Sequence, residues 1–297
     1  MPAAARVLVV LLLVLSGQVW AAARPAAAQG VGAGERSPSL GDAVNAAAGA
    51  TASAIALDEA ARTVGAGGTV SIAVADQLPA GRVGARPEVD GVEPDRPLGA
   101  ASMVKLFIAD DVLRRARSGE VVLAPGDDVL LRDMISRSDD PAASSLWVRF
   151  GGGRMVSDTA LRYGLTGTAP PERPGRWGDT RITARDLAVF LSLLPVLAHP
   201  DDAAAILGWM RDVAPRAADG FDQAYGLATL PGDPAVKQGW MCCPADRRHV
   251  YSAGVVDGRA VVVLGDFPPE VSDEAARSAV TAVTAALPPA RDVPASC

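Results

Sequence analysis

Behind Arg6 the chain opens on an unbroken apolar run, residues 7–15. Alanine-rich faces over 38–63 predict a helix, stopped by Gly65, Gly67 and Gly68. Residues 69–75 (TVSIAVA) alternate and are rich in β-branched side chains, which predicts a strand. Residues 77–98 are rich in Gly, Pro and charge and predict a loop or frayed hairpin. The middle of the chain is helical. Helices are expected over 102–118, ended by Gly119, then over 130–136, 141–150, 155–163, 183–197 and 203–213. A Pro- and Gly-rich loop covers 165–178. After Pro234 the period returns to two, with strands at 236–241, 249–256 and 260–266 and an Asp257-Gly258 turn between the last two. A helix over 272–287 precedes a Pro-rich tail.

This order predicts an α/β (α+β) fold. Both ends of the chain contribute to one antiparallel sheet covered by the first and last helices, with a helical lobe over about 106–215. The cleft between sheet and lobe is the expected site. The first apolar run is too short to span a bilayer and is followed by small-residue sites ending at Ala23 and Ala28. Residues 1–28 therefore read as a secretory signal, 29–38 as a flexible leader, 39–290 as one domain and 291–297 as a tail. The protein is expected to be secreted or held in the cell envelope, as a monomer with no transmembrane span after cleavage.

Composition narrows the chemistry. A net charge of −6 and 4% aromatic residues argue against a nucleic-acid surface. Two histidines, His199 and His249, and three cysteines, Cys242, Cys243 and Cys297, form no metal-ligand spacing, so neither metal nor cofactor is implied. No Gly-x-Ser-x-Gly is present for a histidine to serve. The cysteines leave three options open: either of the first two bridged to Cys297, or the vicinal pair joined.

Of 28 basic residues only two are lysines, Lys105 and Lys237. Lysine can lose its proton when buried and act as a base; arginine cannot. On a helix beginning near Ser102, Lys105 shares the apolar stripe of Ile108, Ala109 and Val112, so it points inward. A buried lysine one turn from a serine at a helix N-terminus can activate that serine without histidine. The N-terminal amides can also hold an oxyanion. The plainer alternative makes Ser102 an N-cap and Lys105 a snorkelling side chain.

Ser102-Met103-Val104-Lys105, Ser138-Asp139-Asp140 and Lys237-Gln238-Gly239 follow one another in the order of S-x-x-K, S-D-N and K-T-G. With LRDMISRSDDPAASSLWVRFGG and DTRITARDLAVFL around them, the chain resembles the class A β-lactamase and penicillin-binding-protein family over roughly residues 40–287. The resemblance implies a β-lactamase-like fold. It makes Ser102 the acylated nucleophile, Lys105 its base or relay, and Ser138 the proton carrier between Lys105 and Lys237. Asp140, Lys237, Gln238 and Gly239 then bind substrate, Gly239 by letting its backbone approach, and amides of Ser102 and near Met241 form the oxyanion hole. The implied substrate is a small β-lactam or a peptidoglycan-like amide or ester.

The chain also departs from that family. Ser102 and Ser138 are closer in sequence, which opens the cleft. The deacylating E-x-x-L-N is missing, and Glu172, between prolines, is the one acidic residue between Leu165 and Gly178. Gln238 replaces threonine. Asp140 replaces asparagine, where its charge can pair with Lys105 and weaken it as a base, although Asp140 before Pro141 also suits an N-cap. Three functions follow: an acyl-serine hydrolase with slow deacylation, an active β-lactamase, and a non-catalytic binder of envelope ligands.

Overall fold

The computed structural model describes residues 53–288 except 66 and 83. The expected signal, leader and tail, the first part of the 38–63 helix and Cys297 lie outside the described residues. Strands β1 (Thr69–Asp76), β2 (Asp90–Val92), β3 (Leu98–Gly99), β4 (Arg181–Ile182), β5 (Ala235–Met241), β6 (Arg248–Val256) and β7 (Arg259–Phe267) form two sheets. The larger is antiparallel in the order β2-β1-β7-β6-β5, and β3 pairs with β4 in the smaller. The Asp257-Gly258 turn has φ 49° and 73°, the two positive values that a type I′ hairpin requires.

Residues 77–98, expected as a loop or frayed hairpin, carry β2, which pairs antiparallel with β1 as a hairpin would, and run into β3. Neither is long enough to show a period. β2 lies so close to β1 that a Cβ on Gly91 would stand 2.2 Å from the Ile72 carbonyl oxygen, so only glycine permits this pairing.

Side chains alternate between two cores. Ala73, Ala75, Val262 and Leu264 face the helical lobe, while Ile72, Val74, Val261 and Val263 face the terminal helices. The helices are α1 (residues 53–62), α2 (Val104–Arg117), α3 (Asp127–Ser136), α4 (Asp140–Phe150), α5 (Gly153–Tyr163), α6 (Ala184–Leu197), α7 (Pro200–Arg211) and α8 (Asp273–Ala285). Leu57 of α1 and Val280 and Val283 of α8 cover the second face. Thr183 and Ser272 cap α6 and α8 through their side chains. Pro195 in α6 cannot bond the Leu191 carbonyl, and the Gln77 amide donates to it instead at 3.3 Å. α7 starts at Pro200 rather than 203, because His199 accepts the Asp201 amide and proline suits the first turn.

Candidate active site

A short 3-10 turn, Ala101–Met103, leads into α2 and is entered through Ala101 at φ 47°, a strained backbone for alanine. Ser102 is 5% exposed, and its hydroxyl has no hydrogen-bond partner among the described residues. One turn on, Lys105 is fully buried among the apolar residues of α2. Its Nζ donates to the Ser138 carbonyl at 2.8 Å, to Ser138 Oγ at 3.2 Å and to Asp140 Oδ1 at 2.5 Å. It also lies 4.9 Å from the centre of the Trp177 ring. All three ammonium protons thus have acceptors other than Ser102.

Ser138 sits in the α3–α4 connection at φ 51°, which turns both its carbonyl and its hydroxyl toward Lys105. The cap of α4 is Asp139, whose side chain accepts the Ala142 amide at 2.7 Å. Asp140, which the sequence also allowed as the cap, is the first helical residue. Its carboxylate is therefore free to reach Lys105. The connection is braced from behind: Gln223 Nε2 donates to the Ser136 carbonyl at 3.2 Å, and the Ala218 amide donates to the Arg137 carbonyl at 2.8 Å.

Strand β5 brings in the third motif. Lys237 is fully buried and donates to Ser138 Oγ at 2.9 Å and to the Gln238 carbonyl at 2.7 Å. Ser138 Oγ thus accepts from both lysines, which leaves its own proton to point elsewhere. Gln238 faces the other side of the strand. Its Nε2 donates to the carbonyls of Gln223 at 3.0 Å and Tyr225 at 2.6 Å, and its side chain is fully buried. This corrects the expectation that it holds a substrate carboxylate: Gln238 ties β5 to the 223–225 segment that braces Ser138. A Cβ on Gly239 would meet the Ser102 amide nitrogen at 3.5 Å and Met103 Cε at 3.3 Å. The glycine lies where β5 passes the Ser102 turn.

The expected oxyanion donor also moves by one residue. In a type I′ hairpin the pair flanking the turn exchanges both hydrogen bonds, so Val256 directs its backbone groups at β7. Alternation then directs Ala253, Tyr251 and His249 toward β5, where they pair with Lys237, Gly239 and Met241. The Met241 amide is consumed by β6. At the open edge, beside Ser102, the amide that remains is that of Trp240.

Burial sets the electrostatics. It lowers the Lys105 pKa, with Asp140 opposing, and lowers Lys237 well below the ordinary lysine value, with the charge of Lys105 adding to the effect. Two ammoniums on one hydroxyl oxygen repel each other. Lys237, which has no bonded carboxylate, is shifted further than Lys105.

Ser102, Asp140, Asp179, Trp177, Trp240 and Met241 line one cavity of about 270 Å³. Asp179 is bound by Arg173 at 2.9 Å and Arg176 at 3.5 Å. Glu172 lines a different cavity with Arg173 and Arg181. Trp177 and Trp240 were missed from sequence; the signal was a tryptophan in a Pro/Gly loop and another directly after the third motif. Trp240 stacks on Phe221 with centroids 4.2 Å apart and donates to Asp219 at 3.1 Å. Cys242 and Cys243 just beyond form a vicinal disulfide, one of the options left open.

No protein-family model matches the chain. It is 36% identical over 237 residues to "Putative lipoprotein LppW" of Mycobacterium tuberculosis, covering 76% of this chain and 70% of the relative. The Mycobacterium bovis protein of that name matches to the same extent. A β-lactamase from Chitinophaga pinensis superposes with a TM-score of 0.60 at 14% identity, covering 77% of this chain and 96% of that one. For a Xanthomonas campestris β-lactamase the figures are 0.59, 19%, 80% and 96%. A PBP-A mutant solved as its acyl-enzyme complex with penicillin G gives 0.57, 17%, 78% and 96%. At these identities the likeness shows the β-lactamase-like fold.

Proposed function

The chain belongs to the family of the mycobacterial protein LppW, and from that membership and the site we propose that it is an acyl-serine hydrolase of penicillin-binding type with slow deacylation. The observation carrying this reading is the convergence of Lys105 and Lys237 on Ser138 Oγ beside Ser102. A lysine freed of its proton accepts that of Ser102 as Oγ bonds to the carbonyl carbon of a small amide or ester. The amides of Ser102 and Trp240 hold the resulting oxyanion. Ser138 passes its proton to the leaving group and takes one from the lysine that received that of Ser102, the bond to the leaving group breaks, and an acyl-serine remains. A substrate carboxylate is held by the ammonium of Lys237.

Water must then cleave the ester, and this is the slow step. The two carboxylates lining the Ser102 cavity are both engaged, Asp140 by Lys105 and Asp179 by two arginines. Loss of an aimed base costs about 10² to 10⁴ in rate. The substrate class is peptidoglycan-like amides or esters, and the setting is the cell envelope, in keeping with the apolar run at 7–15 and the lipoprotein name of LppW.

A second reading, a binder without turnover, is favoured by the engagement of Lys105 with three acceptors other than Ser102. Intact-mass spectrometry after incubation with penicillin G separates the two. A persistent adduct on Ser102 supports the hydrolase, and no adduct over hours supports the binder.

A further inference from the structure

Beyond Met241 lies a second cavity, of about 430 Å³, which shares Met241 and Asp179 as walls with the cavity of Ser102. Three guanidiniums line it, from Arg96, Arg173 and Arg247, against two carboxylates, Asp179 and Asp266. Asp266 is 2% exposed and is bound by both Arg96 and Arg247, the latter at 2.8 Å. Positive charge is therefore in excess. Arg247 uses Nε and one terminal nitrogen on Asp266, and its other terminal nitrogen has no protein acceptor among the described residues.

His249 belongs to the wall of the same cavity. Its side chain is 92% buried, stacks against Tyr251 at 5.4 Å and lines this cavity. Its Nδ1 is buried with no hydrogen-bond partner among the described residues, and its Nε2 stands 3.7 Å from Asp266, beyond hydrogen-bond length. Burial lowers the pKa of the imidazole, so the charge of the cavity comes from the arginines.

From this juxtaposition we infer that the cavity bounded by Arg96, Arg173, Arg247 and His249 is a subsite for a carboxylate-bearing side arm of the substrate whose carbonyl reaches Ser102. The inference rests on the acyl-serine reading for its second half only. The arginines bind the carboxylate, and the His249 ring, part of the cavity wall, reports its occupancy. Arginine suits the task because its planar fork matches a carboxylate.

The test uses the full chain with Ser102→Ala, so that no covalent step intervenes. Histidine ring NMR resolves the chain's two histidines. Glutarate is the probe, and neutral glutaramide is the control. Glutarate shifts the His249 signals saturably while those of exposed His199 stay fixed, and glutaramide gives no such response. Arg247→Gln weakens glutarate binding at least tenfold. Arg173→Gln, at a side chain 72% exposed and outside the sheet, weakens it several-fold and guards against a folding artefact at Arg247. A silent His249, or equal responses to glutarate and glutaramide, or unchanged affinity in Arg173→Gln, overturns the inference. In the Ser102 protein, the p-nitrophenyl hemiester of glutarate then acylates at least tenfold faster than the corresponding amide-ended ester. Equal rates sever the subsite from the reaction. If neither ester acylates while His249 responds to glutarate, the hydrolase reading fails and the anion subsite stands.

Discussion

Lys105 Nζ lies 2.5 Å from Asp140 Oδ1, and the two ends of this pair live in different solvents: the lysine is fully buried, whereas the aspartate side chain is 59% exposed. Burial favours the neutral amine and the carboxylate favours the ammonium, so Asp140 acts as a brake on the base. Asp140→Asn removes the opposing charge and keeps a hydrogen-bonding side chain of the same size. Acylation by penicillin G should accelerate about tenfold at neutral pH, and its pH profile should shift toward acid. A slower variant with an unmoved profile would show that Asp140 orients Lys105 and does not restrain it.

Ser102 is expected to be the sole acylation site, since it alone combines an accessible hydroxyl with a buried lysine one turn on. A fluorophosphonate should give one adduct by intact mass, absent from Ser102→Ala. An adduct that survives the substitution places the nucleophile elsewhere.

Lys105→Arg should lose acylation as completely as Lys105→Ala, because arginine keeps the charge and cannot accept a proton. The rate constants of the two variants, measured with one acylating agent, decide this. Normal acylation by the arginine variant would make the role of Lys105 electrostatic.

A chromogenic cephalosporin should give a stoichiometric burst followed by a slow phase. Glu172→Gln should leave that phase unchanged, since Glu172 faces a different cavity from Ser102. Steady turnover at many per second, abolished by Glu172→Gln, would instead make the protein a β-lactamase.

Stability should carry a pH signature away from the site. Asp110 is buried, accepts the Tyr163 hydroxyl at 2.9 Å and pairs with Arg162. Burial raises its pKa to about 6 from 3.8. The folded state therefore holds a proton that the unfolded state has released, and the resulting stability is present below pH 3.8 and lost as pH rises through about 6. Relative to Asp110→Asn, the unmodified chain should lose roughly 2–3 kcal/mol between pH 4 and 7.5. Urea midpoints at the two pH values read this difference, and parallel behaviour of the two proteins would refute it.

The hydrophobic pattern by itself determined the architecture. Periods of two and of 3.6, broken by glycines and prolines, located β1, β5, β6, β7 and the helices from α2 to α8, because each buries a continuous face and its composition must say so. The two lysines marked the chemistry for a similar reason: in a chain that otherwise uses arginine, a lysine on an apolar stripe has to be buried. Tertiary structure decided which way the polar groups face. Asp139 rather than Asp140 caps α4, Gln238 turns from the cleft to Gln223, and the Trp240 amide rather than that of Met241 stands at the open edge. Each choice depends on a one-residue alternation or on a partner distant in sequence, such as Ser138 with Lys237 or His249 with Asp266. Local composition is blind to both. The bounds of β2 and β3 were not legible because their pairing is held by long-range contact and by Gly91, with too few residues to leave a period.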